Sequence, residues 1–285
     1  MRAIIIGKSG QLAQELVATL PESIEAICLG SNEIDITKLA DLEEKFNDYQ
    51  PHVVINASAY TNVDKAESER SQAFLLNEEG VRNIAITAKK HAARFLHVST
   101  DFVFDGSQSR AYSTTDETNP IGVYGASKLA GEKAIEGCYA ENSAVVRTSW
   151  LYSEFGNNFV KTMLRLMKDK PALNVVADQI GCPTNAKGLA QFLWFLAQSE
   201  SVDSRYHYSD LGVASWYDFA VAIQSIAYDK GILTAKIPVN PIPSEEYPTP
   251  AKRPAFSLMK TVRTDFNYHW QVQLEKVLDN LKVSL

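Results

Sequence analysis

The sequence predicts an α/β protein, a doubly wound parallel sheet carrying a smaller, mixed α/β lobe, and three observations predict it. Short β-branched runs alternate with longer segments of helical period over the first 150 residues, as a parallel sheet wrapped by helices requires. Each run is almost wholly apolar rather than alternating, so both faces of the sheet should be covered. The 285 residues, 45% hydrophobic and 22% charged, have the length to bury a core and the composition of an ordinary globular chain.

The first strand, Ile4-Ile5-Ile6, leads into Gly7-Lys8-Ser9-Gly10-Gln11-Leu12-Ala13 and a helix over 11–20. Glycines there let the backbone turn tightly and approach a pyrophosphate, whose charge would sit on the free N–H groups and positive end of the helix. The spacing is G-x-x-G-x-x-A rather than the commoner G-x-G-x-x-G, and glycines that only close a tight turn would look the same. Ala26-Ile27-Cys28 forms the second strand and runs into Leu29-Gly30-Ser31 with no carboxylate before Glu33. Nothing there repels a 2′-phosphate and Ser31 could donate to it, so NADPH is the first expectation and NADH the alternative. Lys8 could assist or simply be solvated. Asp35 and Ile36 stand where the chain would close over an adenine, although Asp35 could equally cap the helix predicted over 39–49.

Val53-Val54-Ile55 is the third strand, and Asn56-Ala57-Ser58-Ala59 after it offers small side chains against which a cofactor could lie. A helix over 73–91 separates it from the fourth, Phe95-Leu96-His97-Val98, which delivers Ser99, Thr100 and Asp101 to the carboxyl edge of the sheet, where open α/β folds bind ligands. The helix predicted over 124–139 carries Tyr124 and Lys128 one turn apart on one face. A free tyrosine titrates near about 10, so exchanging a proton with a substrate oxygen near neutrality calls for a neighbouring cation, which Lys128 would supply. A lone Y-x-x-x-K also fits a surface aromatic beside a charge; here a Thr100 hydroxyl is available to orient a carbonyl.

Beyond the fifth strand, Ala144-Val145-Val146, helices are predicted over 158–168, 186–198, 216–228 and 274–281. Six of the eleven prolines fall in 238–254, which is therefore extended or turn structure and reads as an ordered loop over the site. The expected organisation is a dinucleotide-binding unit over 1–150, completed by part of 175–210, and a mainly substrate-binding lobe over 151–285.

A net charge of −6 gives no field to draw the chain to nucleic acid or anionic lipid. Three widely spaced cysteines with no C-x-x-C pair indicate neither a disulfide framework nor a thiolate metal site, and fit a reducing cytoplasm. Five scattered histidines form no metal-ligand pair. The apolar runs at 3–6 and 189–197 are too short for export or a membrane span, so no membrane partner is expected.

Taken together, the glycine turn, Asn56-Ala57-Ser58-Ala59, Ser99-Thr100-Asp101 and Tyr124 with Lys128 resemble the extended short-chain dehydrogenase/reductases, which are Rossmann-like. The chain is more narrowly similar to the dTDP-4-dehydrorhamnose reductase family through Val63-Asp64-Lys65-Ala66-Glu67, Ser99-Thr100-Asp101-Phe102-Val103-Phe104, Arg147-Thr148-Ser149-Trp150, Gly156-Asn157-Asn158-Phe159 and Tyr247-Pro248-Thr249-Pro250-Ala251-Lys252-Arg253-Pro254. The resemblance implies NAD(P)H-dependent reduction of the C4 ketone of dTDP-4-dehydro-6-deoxy-L-mannose to dTDP-L-rhamnose, a precursor of surface polysaccharide. It implies that Tyr124 protonates the alkoxide, that Lys128 holds the nicotinamide ribose and lowers the Tyr124 pKa, and that Thr100 bonds the carbonyl. Val63, Asp101, Phe102 and Trp150 would line the sugar-nucleotide pocket, and Arg253 would take the diphosphate; Trp150 as plain core stays open. Some relatives form homodimers through magnesium held by glutamates: Glu15 matches one such position, whereas Lys187 falls near where a second carboxylate would stand, so magnesium and a homodimer both stay open. Phe102 stands where a dehydratase would be expected to carry a glutamate. A sugar-nucleotide epimerase and a non-catalytic, reductase-like regulatory subunit remain as alternatives.

Overall fold

The computed structural model describes residues 1–283. Its centre is a six-stranded, all-parallel sheet formed by β1 (Arg2–Ile6), β2 (Glu25–Leu29), β3 (Val53–Asn56), β4 (Arg94–Thr100), β5 (Ser143–Thr148) and β6 (Arg205–His207), in the spatial order β6-β5-β4-β3-β1-β2. β1 pairs with β2 on one side and β3 on the other, so the winding reverses there and a crevice opens at the carboxyl ends of the strands. The sixth strand carries Arg205 and His207 in only three residues, too short and polar to announce itself by pattern; it forms because β5 offers a parallel edge.

Helices cover both faces, as the apolar strands demand. On one face Ile5, Val53, Ile55, Leu96 and Val146 pack against α1 (Gln11–Ala18) and α8 (Ala186–Gln198), and the Trp194 indole donates to the Leu16 carbonyl at 3.0 Å. On the other, Ile4, Ile6, Val54, Phe95 and Val145 meet α2 (Leu39–Tyr49), α5 (Gly80–Lys90) and α6 (Val123–Tyr139). A second core lies beyond the sheet, where α7 (Phe159–Asp169), α9 (Trp216–Asp229) and α10 (Trp270–Val283) bury Met163, Phe219, Ile223, Leu274 and Leu278. Short α3 (Val63–Ala66) and α4 (Arg70–Phe74) follow β3.

The helix predicted over 73–91 is not continuous. A π-helical turn, Leu75–Glu79, separates α4 from α5, and the extra residue turns Asn77 inward. Its amide accepts from the Tyr60 N–H at 2.8 Å and donates to the Ser127 hydroxyl at 2.9 Å, tying the turn to α6. The proline-rich stretch is extended and turn-like as predicted: Val239–Ile242 pairs in parallel with Leu173–Val176. Among the described residues no helix is long and apolar enough to cross a membrane.

Candidate active site

Two adjoining cavities of about 540 and 600 Å³ open along the crevice and share Ser9, Gly10, Ala57, Ser58, Ala59 and Thr61. Their boundary is the turn between β1 and α1. Gly7 adopts φ +114°, and a Cβ there would lie 2.8 Å from the Ser58 nitrogen, so both the backbone sign and the approach of the Ala57-Ser58 chain demand glycine. Gly10 is the N-cap of α1 with no side-chain cap, and the first turn holds no acidic residue. The helix therefore presents uncapped N–H groups and its positive end to the trough, which fits the pyrophosphate of a dinucleotide.

The first cavity is lined by Gly7, Gly10, Gly30, Ser31, Asp35, Ile36 and Ala57 to Ala59. Asp35 does not cap α2, whose N-cap is Lys38; its carboxylate accepts from the Thr37 N–H and hydroxyl at 3.0 and 2.7 Å, bonds that hold its pKa below the usual carboxylate value. Lys8 is not free: its ammonium meets Glu33 at 2.8 Å, and the same carboxylate accepts from the Gly30 N–H at 2.8 Å. Asn56 departs from expectation as well. It lines neither cavity and is fully buried, because its side chain is spent on Ser58 and His97.

The second cavity brings together Gln11, Leu12, Val63, Thr100, Asp101, Phe102, Tyr124, Lys128, Trp150 and Arg253, drawn from six stretches of chain. β4 ends at Thr100, whose hydroxyl donates to Asp101 at 3.1 Å and accepts the Phe102 N–H at 3.2 Å. Burial raises Asp101 to about 6, against the hydroxyls of Ser257 and Thr100. Tyr124 stands edge-on to Phe102, ring centroids 5.6 Å apart. Tyr124 is not depressed beside Lys128 as expected: burial pushes it up to about 12, while its hydrogen bond with Thr100 pulls the other way. Lys128 itself is lowered to about 8 by burial, with Glu132 opposing. Its Nζ donates to the Val98 carbonyl at 2.7 Å.

Trp150 is more than core. It sits at φ +47°, a strained conformation for a bulky residue, and stacks on Trp216 at 3.7 Å and 9°, making an indole floor that Phe159 flanks. Phe159 belongs to the Gly156-Asn157-Asn158-Phe159 motif, whereas Trp216 carries no local signal in the sequence; the second core brings both to the crevice. Arg253 faces the cavity but donates to Asp64 at 2.9 Å, so any anion there shares the guanidinium with a carboxylate. Glu15 is buried on α1, takes the Ser153 hydroxyl at 2.6 Å and is raised by burial; among the described residues no group of three or more His, Cys, Asp or Glu is placed to hold a metal ion.

A family model described as the RmlD substrate binding domain matches residues 1–283. The chain belongs to the RmlD family. This RmlD-family chain is 43% identical to a dTDP-4-dehydrorhamnose reductase of Aggregatibacter actinomycetemcomitans over 90% of each chain, and 37% identical to the reductase of that name from Escherichia coli over 99% of this chain and 98% of that one. A crystal structure of dTDP-4-dehydrorhamnose reductase from Bacillus anthracis in complex with NADP superposes with a TM-score of 0.91 at 35% identity, covering 98% of this chain and 99% of that one. A UDP-glucose 4-epimerase of Thermus thermophilus, 15% identical over the full length of both chains, shares the fold with a TM-score of 0.81.

Proposed function

We propose that this RmlD-family chain reduces the C4 ketone of dTDP-4-dehydro-6-deoxy-L-mannose to dTDP-L-rhamnose with NADPH. One observation carries the reading: Thr100, Tyr124 and Lys128 face the same cavity, which adjoins the uncapped end of α1, in a chain whose full-length relatives bear that reductase name.

When bound, the reduced nicotinamide supplies hydride to the ketone carbon. Gly7, Gly10, Gln11 and Leu12 take the pyrophosphate against the start of α1, and Gly30, Ser31, Asp35, Ile36 and Ala57 to Ala59 enclose the adenosine half. Lys128 donates to the nicotinamide ribose. Tyr124 gives its phenolic proton to the C4 oxygen, and a phenol held near 12 stays protonated across physiological pH, as a donor must. Thr100 orients that oxygen. Val63, Asp101, Phe102 and Trp150 enclose the sugar nucleotide, and Arg253 reaches its diphosphate while Asp64 fixes the guanidinium plane. In this reading residues 1–150, completed by part of 175–210, bind the dinucleotide and the rest of 151–285 mainly binds the sugar. The setting is the cytoplasm.

The test is loss of reduced-nicotinamide absorbance with NADPH or NADH and the 4-keto sugar nucleotide made in situ. One equivalent of dTDP-L-rhamnose per NADPH is expected, and Tyr124→Phe should lower turnover at least about a hundredfold while NADPH still binds. No oxidation with either cofactor, despite dinucleotide binding, refutes the reading.

A further inference from the structure

Beneath Lys128 runs a buried chain of hydrogen bonds, Ser58 to Asn56 to His97, whose donor directions follow from the atoms alone. The Ser58 backbone N–H and hydroxyl both donate to Asn56 Oδ1, at 3.0 and 2.7 Å. A backbone N–H cannot accept, so this end of the amide is its carbonyl, and the NH2 end faces His97 Nδ1 at 3.1 Å. That NH2 has no acceptor capacity. Nδ1 therefore carries the lone pair, and a neutral imidazole must keep its single proton on Nε2. Nε2 lies 3.2 Å from Lys128 Nζ. An ammonium there would set an N–H against an N–H; a neutral amine accepts the Nε2 proton and still donates to Val98.

We propose that Asn56 and His97 are positioning residues: Asn56 fixes the His97 tautomer, and His97, turning its Nε2–H toward Lys128 Nζ, favours the neutral amine of Lys128 over its ammonium. The surroundings leave that assignment in place. Asn56 and His97 are both fully buried and Lys128 nearly so. Along α6, Tyr124 lies one turn before Lys128 and Glu132 one turn after, and Glu132 is committed to Arg147 on β5 and Ser99 on β4. Asp101 lies against Thr100 and Tyr124. Burial lowers the imidazole well below its ordinary value, with Lys128 adding to the effect, so His97 does not become a second cation.

The consequence rests on the reductase reading. A cationic lysine favours the phenolate, the base that sugar oxidation needs; a neutral one leaves Tyr124 as the acid that ketone reduction needs. The tautomer thus sets the pH above which Lys128 ceases to favour the phenolate.

Nitrogen NMR of the ligand-free protein tests it without turnover. The expected spectrum has His97 protonated on Nε2 and not on Nδ1 from pH 6 to 9, and a Lys128 side chain titrating near 8. In Asn56→Asp the carboxylate accepts from Nδ1–H, the tautomer reverses, and Lys128 should titrate at least about one pH unit higher. Should that variant fail to fold, His97→Gln, which can turn its carbonyl to the amine, should raise the lysine in the same direction. A wild-type His97 protonated on Nδ1, or a Lys128 that titrates at the ordinary lysine value near about 10.4, overturns the proposal. If the reductase reading alone is wrong, the tautomer stands and no sugar nucleotide is reduced.

Discussion

Glu132→Gln removes one charge from the most deeply buried ion pair among the described residues and should destabilise the protein severely. Glu132 and Arg147 are each about 1% exposed at the side chain. Arg147 donates to the carboxylate through Nη2 at 2.6 Å and Nε at 3.0 Å, and the Ser99 hydroxyl donates to the same group. Glutamine keeps the shape and one acceptor but leaves the guanidinium without a counter-charge, and its NH2 confronts a donor. Arg205, 3.8 Å from the carboxylate, keeps Glu136; Arg147 keeps the His207 imidazole at 3.4 Å and the face of Phe104 at 5.1 Å, neither of them a counter-charge. Stranding a buried charge costs about 3–5 kcal/mol. With an unfolding entropy of about 2.1 cal/mol/K per residue, roughly 0.6 kcal/mol/K for a chain of this length, Tm should fall by about 5–8 °C. Calorimetric melts of wild type and variant at one pH measure it, and the double variant Glu132→Leu with Arg147→Met should recover most of the loss. A Tm for Glu132→Gln within about 1 °C of wild type would refute the premise that Arg147 depends on this carboxylate.

Three further outcomes follow from the same geometry. Asp101 has a folded pKa of about 6, above its ordinary 3.8, so its contribution is present below about pH 4 and lost as pH rises through about 6; the Tm of Asp101→Asn minus that of wild type should climb across that window by the equivalent of about 3 kcal/mol and then level off, and a flat difference would show that Asp101 titrates normally. Gly131→Ala puts a Cβ 2.1 Å from the Asn77 carbonyl oxygen, so α6 must back away from the π-helical turn at about 1–3 kcal/mol; an unchanged melt would mean that the two do not pack this closely. Glu33→Gln takes the counter-charge from Lys8 and leaves one carbonyl oxygen to serve either Lys8 or the Gly30 N–H beside the adenosine cavity, and titration calorimetry should show NADPH gaining affinity over NADH severalfold, whereas an unaltered ratio would remove Lys8 from 2′-phosphate recognition.

Much of the fold is local chemistry and can be read from the chain. Five of the six central strands are runs of β-branched and apolar residues, and the helices between them repeat at 3.6 residues, so element type and order follow from the runs and the helical period together. The break at Leu75–Glu79 escaped because the partners that reward it, Tyr60 and Ser127, lie 17 and 50 residues from Asn77. β6 escaped because three residues carry no period.

For the site, local order along the chain sets which side chains reach the carboxyl edge of the sheet: the turn at Gly7 to Ala13, the hydroxyls after β4, and Tyr124 and Lys128 one helical turn apart. These follow from strand ends and helix spacing. Which of those groups remain free depends on contacts between segments far apart in the chain. Asn56 is consumed by His97, Lys8 by Glu33, and Arg253 by Asp64 from 189 residues away; Trp150 gains a stacking partner in Trp216, and burial moves Tyr124 and Lys128 from their ordinary pKa values in opposite directions. The reason is physical: where a residue sits along a strand or helix is set by its neighbours in sequence, whereas its hydrogen-bond partners and its distance from water are set by whatever the fold packs against it.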